Sequence, residues 1–420
     1  MDLSKLTEIL NSGEKNERLS ALREIKAKVG ASEIKKPESA NNVNNHIHTI
    51  YSFSPYSPAG AVYAAYMSGL PTAGIMDHDS LAGADEFIQA GKIMGVATTV
   101  GVELRVDMRS TKLGGRRINN PDQSSVAYAA IHGVPAHSID MLQGWLAPFR
   151  KSRNTRNIKM CANISRMMAG HGIKLDFEQH VLPISQYKNG GTVTERHICC
   201  ALARLICEKY KTPDEVIKFF RNGMKSSVGA KAEAAIRENK PEYYIYDILG
   251  LLKAELIEQF YVDAFDECPH VEDYIKAAKA AGAIAAYPYL GDVGDSVTGD
   301  KRTQKFEDDY IELLFDELVR LGFQAVTYMP TRNTRAQLER VIKLCGKHNL
   351  FQISGEDINS PRQSFICEAL SEPMFAHLID AAWTLINHER RSAECEGLGM
   401  FSAQTAAQFP DIKDRVKNFI

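Results

Sequence analysis

Short apolar runs alternate with amphipathic segments between residues 43 and 370, and this pattern predicts strands separated by helices. The predicted strands are residues 43–48, 72–76, 96–102, 126–131, 283–286, 325–328 and 351–354. The predicted helices between them lie near residues 59–69, 80–94, 271–281, 305–321 and 334–348. Repeated strand–helix units are typical of a parallel sheet, and seven strands with covering helices favour a closed, barrel-like sheet. The sequence therefore predicts an α/β fold built on a distorted (β/α)7 barrel.

Helical patterns flank and interrupt this alternation. In residues 1–42, Leu6, Ile9 and Leu10 recur at helical spacing, which predicts one or two amphipathic helices packed on the main body. Partner binding is the alternative interpretation of this segment. The predicted order is an N-terminal helical extension (1–42), the first part of the barrel (43–137), a mostly helical insertion (138–268), the second part of the barrel (269–370) and a C-terminal helical tail (371–420).

Composition and charge narrow the class of protein. With 420 residues, of which 44% are hydrophobic and 24% charged, the chain can build a sizeable core and is not a disordered protein. The net charge of -2 argues against duplex nucleic acid as a partner, but it allows a local basic pocket for a small phosphorylated molecule. No apolar run approaches the ~18 residues of a membrane span, so no membrane partner is expected. Eight scattered cysteines without a CxxC pair predict reduced thiols, and together with a start unlike a secretory signal they predict a cytoplasmic protein.

Side chains that can bind metals stand where the predicted strands end, and in a parallel α/β barrel catalytic groups lie on the loops that follow the strands. The candidates are His46 and His48, Asp77, His78 and Asp79, Glu103, His132, and Glu356, Asp357 and Asn359. Alternate residues of a strand face the same side, so His46 and His48 are expected to point together. One histidine at a strand end is commonly structural. Convergence from five strands favours a divalent cation, because buried carboxylates without one carry a heavy desolvation cost.

The ligand types indicate the metal and its chemistry. A site of nitrogen and oxygen ligands without cysteine suits zinc, manganese or iron. Such an ion lowers the pKa of a bound water and neutralises phosphoryl oxygens, which predicts hydrolysis, especially of phosphoesters. No flavin, nicotinamide or phosphate-loop fingerprint occurs in the sequence.

These motifs resemble those of the PHP (polymerase and histidinol phosphatase) superfamily of metal-dependent phosphoesterases. The matching segments keep the family's order over residues 43–365. They are His46-Ile47-His48-Thr49, Met76-Asp77-His78-Asp79-Ser80, Gly101-Val102-Glu103, His132-Gly133, Ala286-Tyr287-Pro288 and Gly355-Glu356-Asp357-Ile358-Asn359. The resemblance implies a PHP-type barrel with a cluster of up to three metals.

The resemblance also implies which residues would bind the first two metals. The first metal would be held by His46, His48, Glu103 and Asp357. The second would share Glu103 and use His132, while Tyr287 stands where the family has its other histidine. Tyr287 could be a ligand, a hydrogen-bond donor to the substrate or an aromatic filler of the vacated position.

The third implied metal position has lost most of its ligands. Phe53 and Asn359 stand near two of its positions, and only His78 remains. We therefore expect one or two ions, with His78 either acting as a proton donor or serving a structural role. The Gly-rich loop just after Tyr287 carries the acidic residues Asp292, Asp295 and Asp300. These residues could cover the site or hold a cation; the default interpretation is a mobile loop.

Within the superfamily, the insertion resembles the branch that hydrolyses nucleoside 3′,5′-bisphosphates and trims RNA 5′ ends. The counterparts of its motifs are Arg150, Arg153 and Arg156, then residues 193–197 and 240–243. The resemblance implies phosphate binding by Arg153, Arg156, Arg196 and His197, because arginine matches phosphate bidentately. Solvated arginines on a helix surface are the alternative. The branch's own arginine position is occupied here by Glu195, with Arg196 one place later.

The leading hypothesis is a metal-dependent phosphoesterase that cleaves a small, nucleotide-like substrate with a metal-bound hydroxide, with His78 and Asp357 as catalytic residues. One alternative is a hydrolase of the same fold acting on an amide or ester bond. The other is a non-catalytic metal- or ligand-binding protein with a degenerate site.

Overall fold

The computed structural model describes residues 1–292 and 305–420. Asp295 and Asp300 of the predicted acidic loop lie outside the described residues. Among the described residues, no helix combines the length and the apolar character that a membrane crossing requires.

Seven strands form one sheet in chain order, and each lies where the sequence predicts a strand. They are β1 (Asn44–Ile47), β2 (Thr72–His78), β3 (Ala97–Asp107), β4 (Val126–His132), β5 (Ile284–Pro288), β6 (Ala325–Tyr328) and β7 (Phe351–Ser354). The sheet curls into a half-barrel, and the chain beyond β7 returns to β1. Ile358 N donates to His46 O at 3.1 Å and His48 N donates to Ile358 O at 3.0 Å. These two bonds make the loops after β1 and β7 neighbours.

β4 runs antiparallel to both of its neighbours, whereas the other adjacent strands are parallel. The prediction of a fully parallel sheet is therefore wrong at this strand. A parallel connection needs a crossover, usually a helix, and residues 108–125 between β3 and β4 contain none. The last residue of β4, His132, consequently pairs with Ile284, the first residue of β5. His132 thus lies at the level where β5 begins, whereas the parallel strands carry their candidate residues toward the ends where they finish.

Helices cover the sheet and make up most of the chain between β4 and β5. The described α-helices are α1 (Leu3–Ser12), α2 (Lys15–Gly30), α3 (Pro58–Met67), α4 (Ala84–Met94), α5 (Ile139–Met167), α6 (Glu195–Lys209), α7 (Pro213–Lys218), α8 (Ala230–Glu238), α9 (Pro241–Phe260), α10 (Val271–Ala280), α11 (Ile311–Leu321), α12 (Arg335–Lys347), α13 (Ala376–Glu394), α14 (Ala403–Gln408) and α15 (Ile412–Phe419).

The first two helices pack on the barrel. Leu6 and Leu10 of α1 are fully buried in the core between the sheet and its outer helices. Arg18 of α2 makes a buried double hydrogen bond to Glu86 of α4, with nitrogen–oxygen distances of 2.8 and 2.6 Å. A paired, bidentate contact of this kind fixes the orientation of one helix on the other.

The helices between β4 and β5 have a core of their own, built largely from α6 and α9. Phe53 from the loop after β1 inserts into this core, at ring distances of 5.0 Å from His197 and 5.8 Å from Tyr246. Its φ of 95° is costly for a bulky residue and is maintained only when packing requires it. Phe53 therefore anchors the loop after β1 in the helical segment.

α13 packs into the concave side of the sheet. Its Leu385 shares a buried cluster with Ala130, Ile284 and Ile353 of the strands. One turn later, the Glu389 carboxylate accepts hydrogen bonds from the Thr99 hydroxyl and, at 2.7 Å, from Val100 N. Burial raises the pKa of Glu389 from its ordinary value to about 8.

This carboxyl predicts a pH-dependent stability. Because the pKa of Glu389 is raised in the folded chain, the folded state keeps a proton that the unfolded state releases above about pH 4.5. The stabilisation that Glu389 contributes to the folded state is fully present below that pH and is lost as the pH rises toward 8. Glu389→Gln should therefore become progressively more stable relative to the wild type between pH 5 and 8, as measured by urea denaturation. The exposed residue of the same helix, Glu394, provides the control Glu394→Gln; parallel profiles for all three proteins would contradict the assignment.

Candidate metal centre

Two imidazoles from the end of β1 and a carboxylate from within β3 meet at one point. Glu103 Oε2 lies 3.5 Å from His46 Nε2 and 3.9 Å from His48 Nε2. The two imidazole centroids are 5.0 Å apart. Ligand atoms of all three residues lie within 4.8 Å of one another. A single ion could therefore contact the three side chains together.

Asp357 adds a second carboxylate from the loop after β7. Its Oδ1 lies 3.2 Å from His48 Nε2, and the side chain is half-exposed. The loop reaches β1 because residue 355 is a glycine: a Cβ there would meet the backbone N and the Cβ of His46 at 2.7 Å. The four residues implied for the first metal thus lie side by side.

Charge and the chemistry of the side chains both fit a divalent cation at this position. The Nε2 atom of His48 is buried, and it faces only the carboxylates of Asp357 at 3.2 Å and Glu103 at 3.9 Å. Burial raises the pKa of Glu103, but His78 and His46 outweigh it and hold that pKa at about 2. Burial likewise opposes ionisation of Asp357, yet His48 holds its pKa well below the usual range. Two anionic carboxylates beside imidazole nitrogens form a ligand set that suits zinc, manganese or iron.

His78, at the end of β2, lies against the same group. Its ring stacks on His48 with centroids 4.7 Å apart, and its Nδ1 lies 3.3 Å from Glu103 Oε2. Burial lowers the pKa of His78 well below its ordinary value, against the opposing effect of the Glu103 carboxylate. The side chain lines the cavity above the cluster. Its role as proton donor stays a prediction.

Asp77, buried beneath the site, orients the loop that carries His48. Its carboxylate accepts hydrogen bonds from Thr49 N at 2.7 Å, Thr49 Oγ1 at 2.6 Å and Ser52 Oγ at 2.6 Å. Ser52 Oγ in turn lies 3.2 Å from His48 Nδ1. This chain of contacts leaves the Nε2 atom of His48 facing the cluster, as partners of a ligand imidazole commonly do.

The two residues implied for a second metal lie apart from the cavity lining. His132 is buried and is not among the cavity-lining residues, and its Nε2 makes no hydrogen bond. Burial lowers the pKa of His132 to about 3, and the charges of His46 and Glu103 also act on it, so its role as a ligand stays a prediction. The Tyr287 hydroxyl instead donates to Glu307 Oε1 at 3.2 Å, and its ring packs edge-on against Phe323. Neither side chain belongs to the group formed by His46, His48 and Glu103 among the described residues.

Arg153 and Arg156, two of the implied phosphate ligands, are buried in a network of three arginines and three carboxylates. Glu267 Oε1 accepts from Arg153 Nε at 3.0 Å and from Arg105 Nη2 at 2.5 Å, and Glu267 Oε2 accepts from Arg156 Nε at 2.5 Å. Further ion pairs join Arg105 and Arg156 to Glu195, and Arg153 to Asp79. The formal charges of these six residues balance. Arg153 lines the cavity, whereas Arg156 is not among its lining residues.

Two other cations of the helical segment face the cavity without a carboxylate partner. Arg196 of α6 and Lys253 of α9 line the same cavity as the cluster, and neither has a carboxylate within 4 Å in the part of the chain that the structure describes. Arg196 donates instead to the amide oxygen of Asn359. Sequence analysis missed Lys253, because a lysine in mid-helix is indistinguishable from a solvated one. His197 is buried away from the cavity lining, and its Nδ1 accepts from Thr194 N at 3.0 Å.

Comparison with known proteins gives a likeness in fold. No family model and no curated protein sequence matches the chain. A solved structure described as a candidate metal-dependent phosphoesterase from Bifidobacterium adolescentis is similar with a TM-score of 0.52 and 18% identity, over 83% of this chain and 98% of that chain. An amidohydrolase from Chromobacterium violaceum, solved with bound sulfate and no metal, is similar with a TM-score of 0.52 and 17% identity, over 81% of this chain and 96% of that one. At these identities, the likeness shows a shared α/β fold.

The buried charge network gives a prediction about stability. Glu267→Gln leaves three buried guanidinium groups with two carboxylates, and an uncompensated buried charge costs about 3–5 kcal/mol. The control is Glu233→Gln, which breaks surface pairs with Arg221 and Arg237 and should have a much smaller effect. Urea denaturation at pH 7 measures both. Equal changes in the free energy of unfolding would show that the network is not a structural element.

Proposed function

We propose that the chain is a metal-dependent phosphoesterase that hydrolyses a small, nucleotide-like phosphorylated substrate. The observation that carries this proposal is that one cavity holds both a set of metal-binding side chains and cations without a carboxylate partner. Its lining includes His46, Glu103 and Asp357 of the cluster, together with Arg196 and Lys253. A phosphate ester needs both, because its oxygens carry charge and its phosphorus must be reached by a nucleophile.

The cluster supplies the ligands in this proposal. His46, His48, Glu103 and Asp357 would hold the divalent ion. When bound, such an ion lowers the pKa of a water and neutralises charge on phosphoryl oxygens. His78 lies within reach of the same space and would exchange a proton with the substrate through its ring nitrogen.

The cations of the helical segment would bind the phosphate oxygens. Lys253 and Arg196 are the candidates without a carboxylate partner, although Arg196 also donates to Asn359 Oδ1, while Arg153 is already paired with Asp79 and Glu267. The apolar side of the cavity, with Pro288, Leu290 and Met329, would accept the uncharged part of the substrate. The phosphoesterase description of one structural neighbour and the sulfate bound to the other support an anionic substrate.

The amidohydrolase neighbour favours the second candidate, hydrolysis of an amide or ester bond. The two candidates differ in what the cations do. A phosphoesterase depends on Lys253 for binding its substrate, whereas a hydrolase of a neutral amide gains little from an unpaired lysine. Assays with both substrate classes therefore separate them.

The first prediction concerns the metal ligand on the loop after β7. Asp357→Ala should lower the release of inorganic phosphate from a panel of phosphomonoesters and nucleoside bisphosphates by at least about a hundredfold, because a ligand of the ion is lost. The assay uses the full chain with added manganese or zinc. Asp122→Asn, a cavity residue away from the imidazoles, is the matched control. Turnover that survives Asp357→Ala, or wild-type turnover of amides alone, would rule out the proposal.

The second prediction concerns Lys253. Lys253→Gln should raise KM for the best phosphate ester about tenfold or more and change kcat less, since a charge-assisted hydrogen bond contributes roughly 1.5–3 kcal/mol. Lys231→Gln, an exposed lysine on α8, is the control. An unchanged KM in Lys253→Gln would place the substrate elsewhere in the cavity.

A further inference from the structure

The side chain of Asn359, a candidate metal ligand at a position where the resembled family has a histidine, is hydrogen-bonded to protein groups at both its oxygen and its nitrogen. Its Nδ2 donates to Asp357 Oδ1 at 2.6 Å. Its Oδ1 accepts a hydrogen bond from Arg196 Nη2. The oxygen that could coordinate an ion is thus used by a guanidinium, and the nitrogen fixes a carboxylate. Arg196, Asn359, Asp357 and His48 form a continuous chain from α6 to the cluster.

The loop that carries Asp357 has a second attachment to the helical segment. Arg362 donates to Asp247 of α9 at 2.8 and 3.0 Å and to Glu238 at 2.7 Å. Its guanidinium also lies over the ring of Tyr243, 4.3 Å from the centroid. Within the loop, Gln363 Oε1 accepts from the backbone nitrogens of residues 359 and 360, both at 2.7 Å. The loop of residues 355–363, which carries Asp357, is therefore attached to the helical segment at two positions, Asn359 and Arg362.

The other ligand loop, after β1, is attached to the same helical segment. Thr192 N donates to Tyr51 O at 2.8 Å, and Thr194 Oγ1 donates to Ser52 O at 3.3 Å. Phe53 completes this attachment by packing into the core of the helices. The two loops that bring His48 and Asp357 together thus depend on contacts made by residues 192–247.

We infer that the helical segment between β4 and β5 positions the metal centre, with Arg196 and Asn359 as positioning residues that hold Asp357. The inference rests on the proposed metal-dependent function. A carboxylate in a flexible loop must lose conformational freedom when it coordinates an ion, and a loop fixed in advance loses less. Partners that orient a ligand commonly account for a 10–100-fold difference in metal affinity. Asn359 therefore acts on the ion through Asp357 rather than by coordinating it.

Manganese binding to the chelator-treated full-length chain, measured by isothermal titration calorimetry without phosphate, tests this inference. Arg196→Gln should weaken binding about 10–100-fold, and Arg196→Lys should restore part of it. Asn359→Ala, which removes both the donor to Asp357 and the acceptor of Arg196, should weaken binding by a similar factor. Because both residues act through Asp357, the double variant Arg196→Gln/Asn359→Ala should bind manganese little more weakly than either single variant. Arg221→Gln, which breaks a surface pair in the same helical segment, should bind like the wild type.

Hydrogen exchange of residues 355–363 in the metal-free chain gives a second measurement that needs neither metal nor turnover. Arg196→Gln should accelerate exchange in this loop, and Arg221→Gln should not. If the wild type binds no manganese, the proposed function fails, and faster exchange in Arg196→Gln still supports the positioning contact. Unchanged exchange in Arg196→Gln, or losses of manganese affinity that add up in the double variant Arg196→Gln/Asn359→Ala, would overturn the inference.

Discussion

The burial of Glu103 beside three imidazoles is the interaction on which the rest of the site depends. A carboxylate with so little access to water is costly unless neighbouring groups compensate its charge. His46 and His78 do so from β1 and β2, and they keep the pKa of Glu103 at about 2. His48 adds a buried nitrogen that faces the carboxylates of Asp357 and Glu103 and could bind a cation together with them. The curl of the sheet brings Asp357 to the same point from the other end.

The helical segment between β4 and β5 contributes as much to the site as the sheet does. It supplies the unpaired cations of the cavity wall, and it holds the loops after β1 and β7. The network around Glu267 and Arg105 joins it to the barrel through balanced buried charges. Such a network stabilises one relative arrangement of its elements, because moving any member leaves a buried charge without its partner. The geometry of the cluster therefore depends on contacts more than a hundred residues away in sequence.

Local pattern was sufficient to predict the seven strands and the convergence of histidines and carboxylates near their ends, while the set of His46, His48, Glu103 and Asp357 followed from the family resemblance. The direction of β4 was missed, although the absence of a helical pattern between β3 and β4 was a usable signal. The position of Lys253 in the cavity and the carboxylate partners of Arg153 could not be predicted. Contacts between a helix and a distant barrel strand do not produce a repeating pattern in the sequence.

The most direct test of the account is the metal content of the full-length chain, purified without chelators and measured by elemental analysis for the wild type, Glu103→Gln and the control Asp122→Asn. The account predicts at least one zinc, manganese or iron per wild-type chain, its loss in Glu103→Gln, and retention in Asp122→Asn. Equal metal content in the wild type and Glu103→Gln, or none in the wild type after these ions are added, would contradict the assignment of a metal centre.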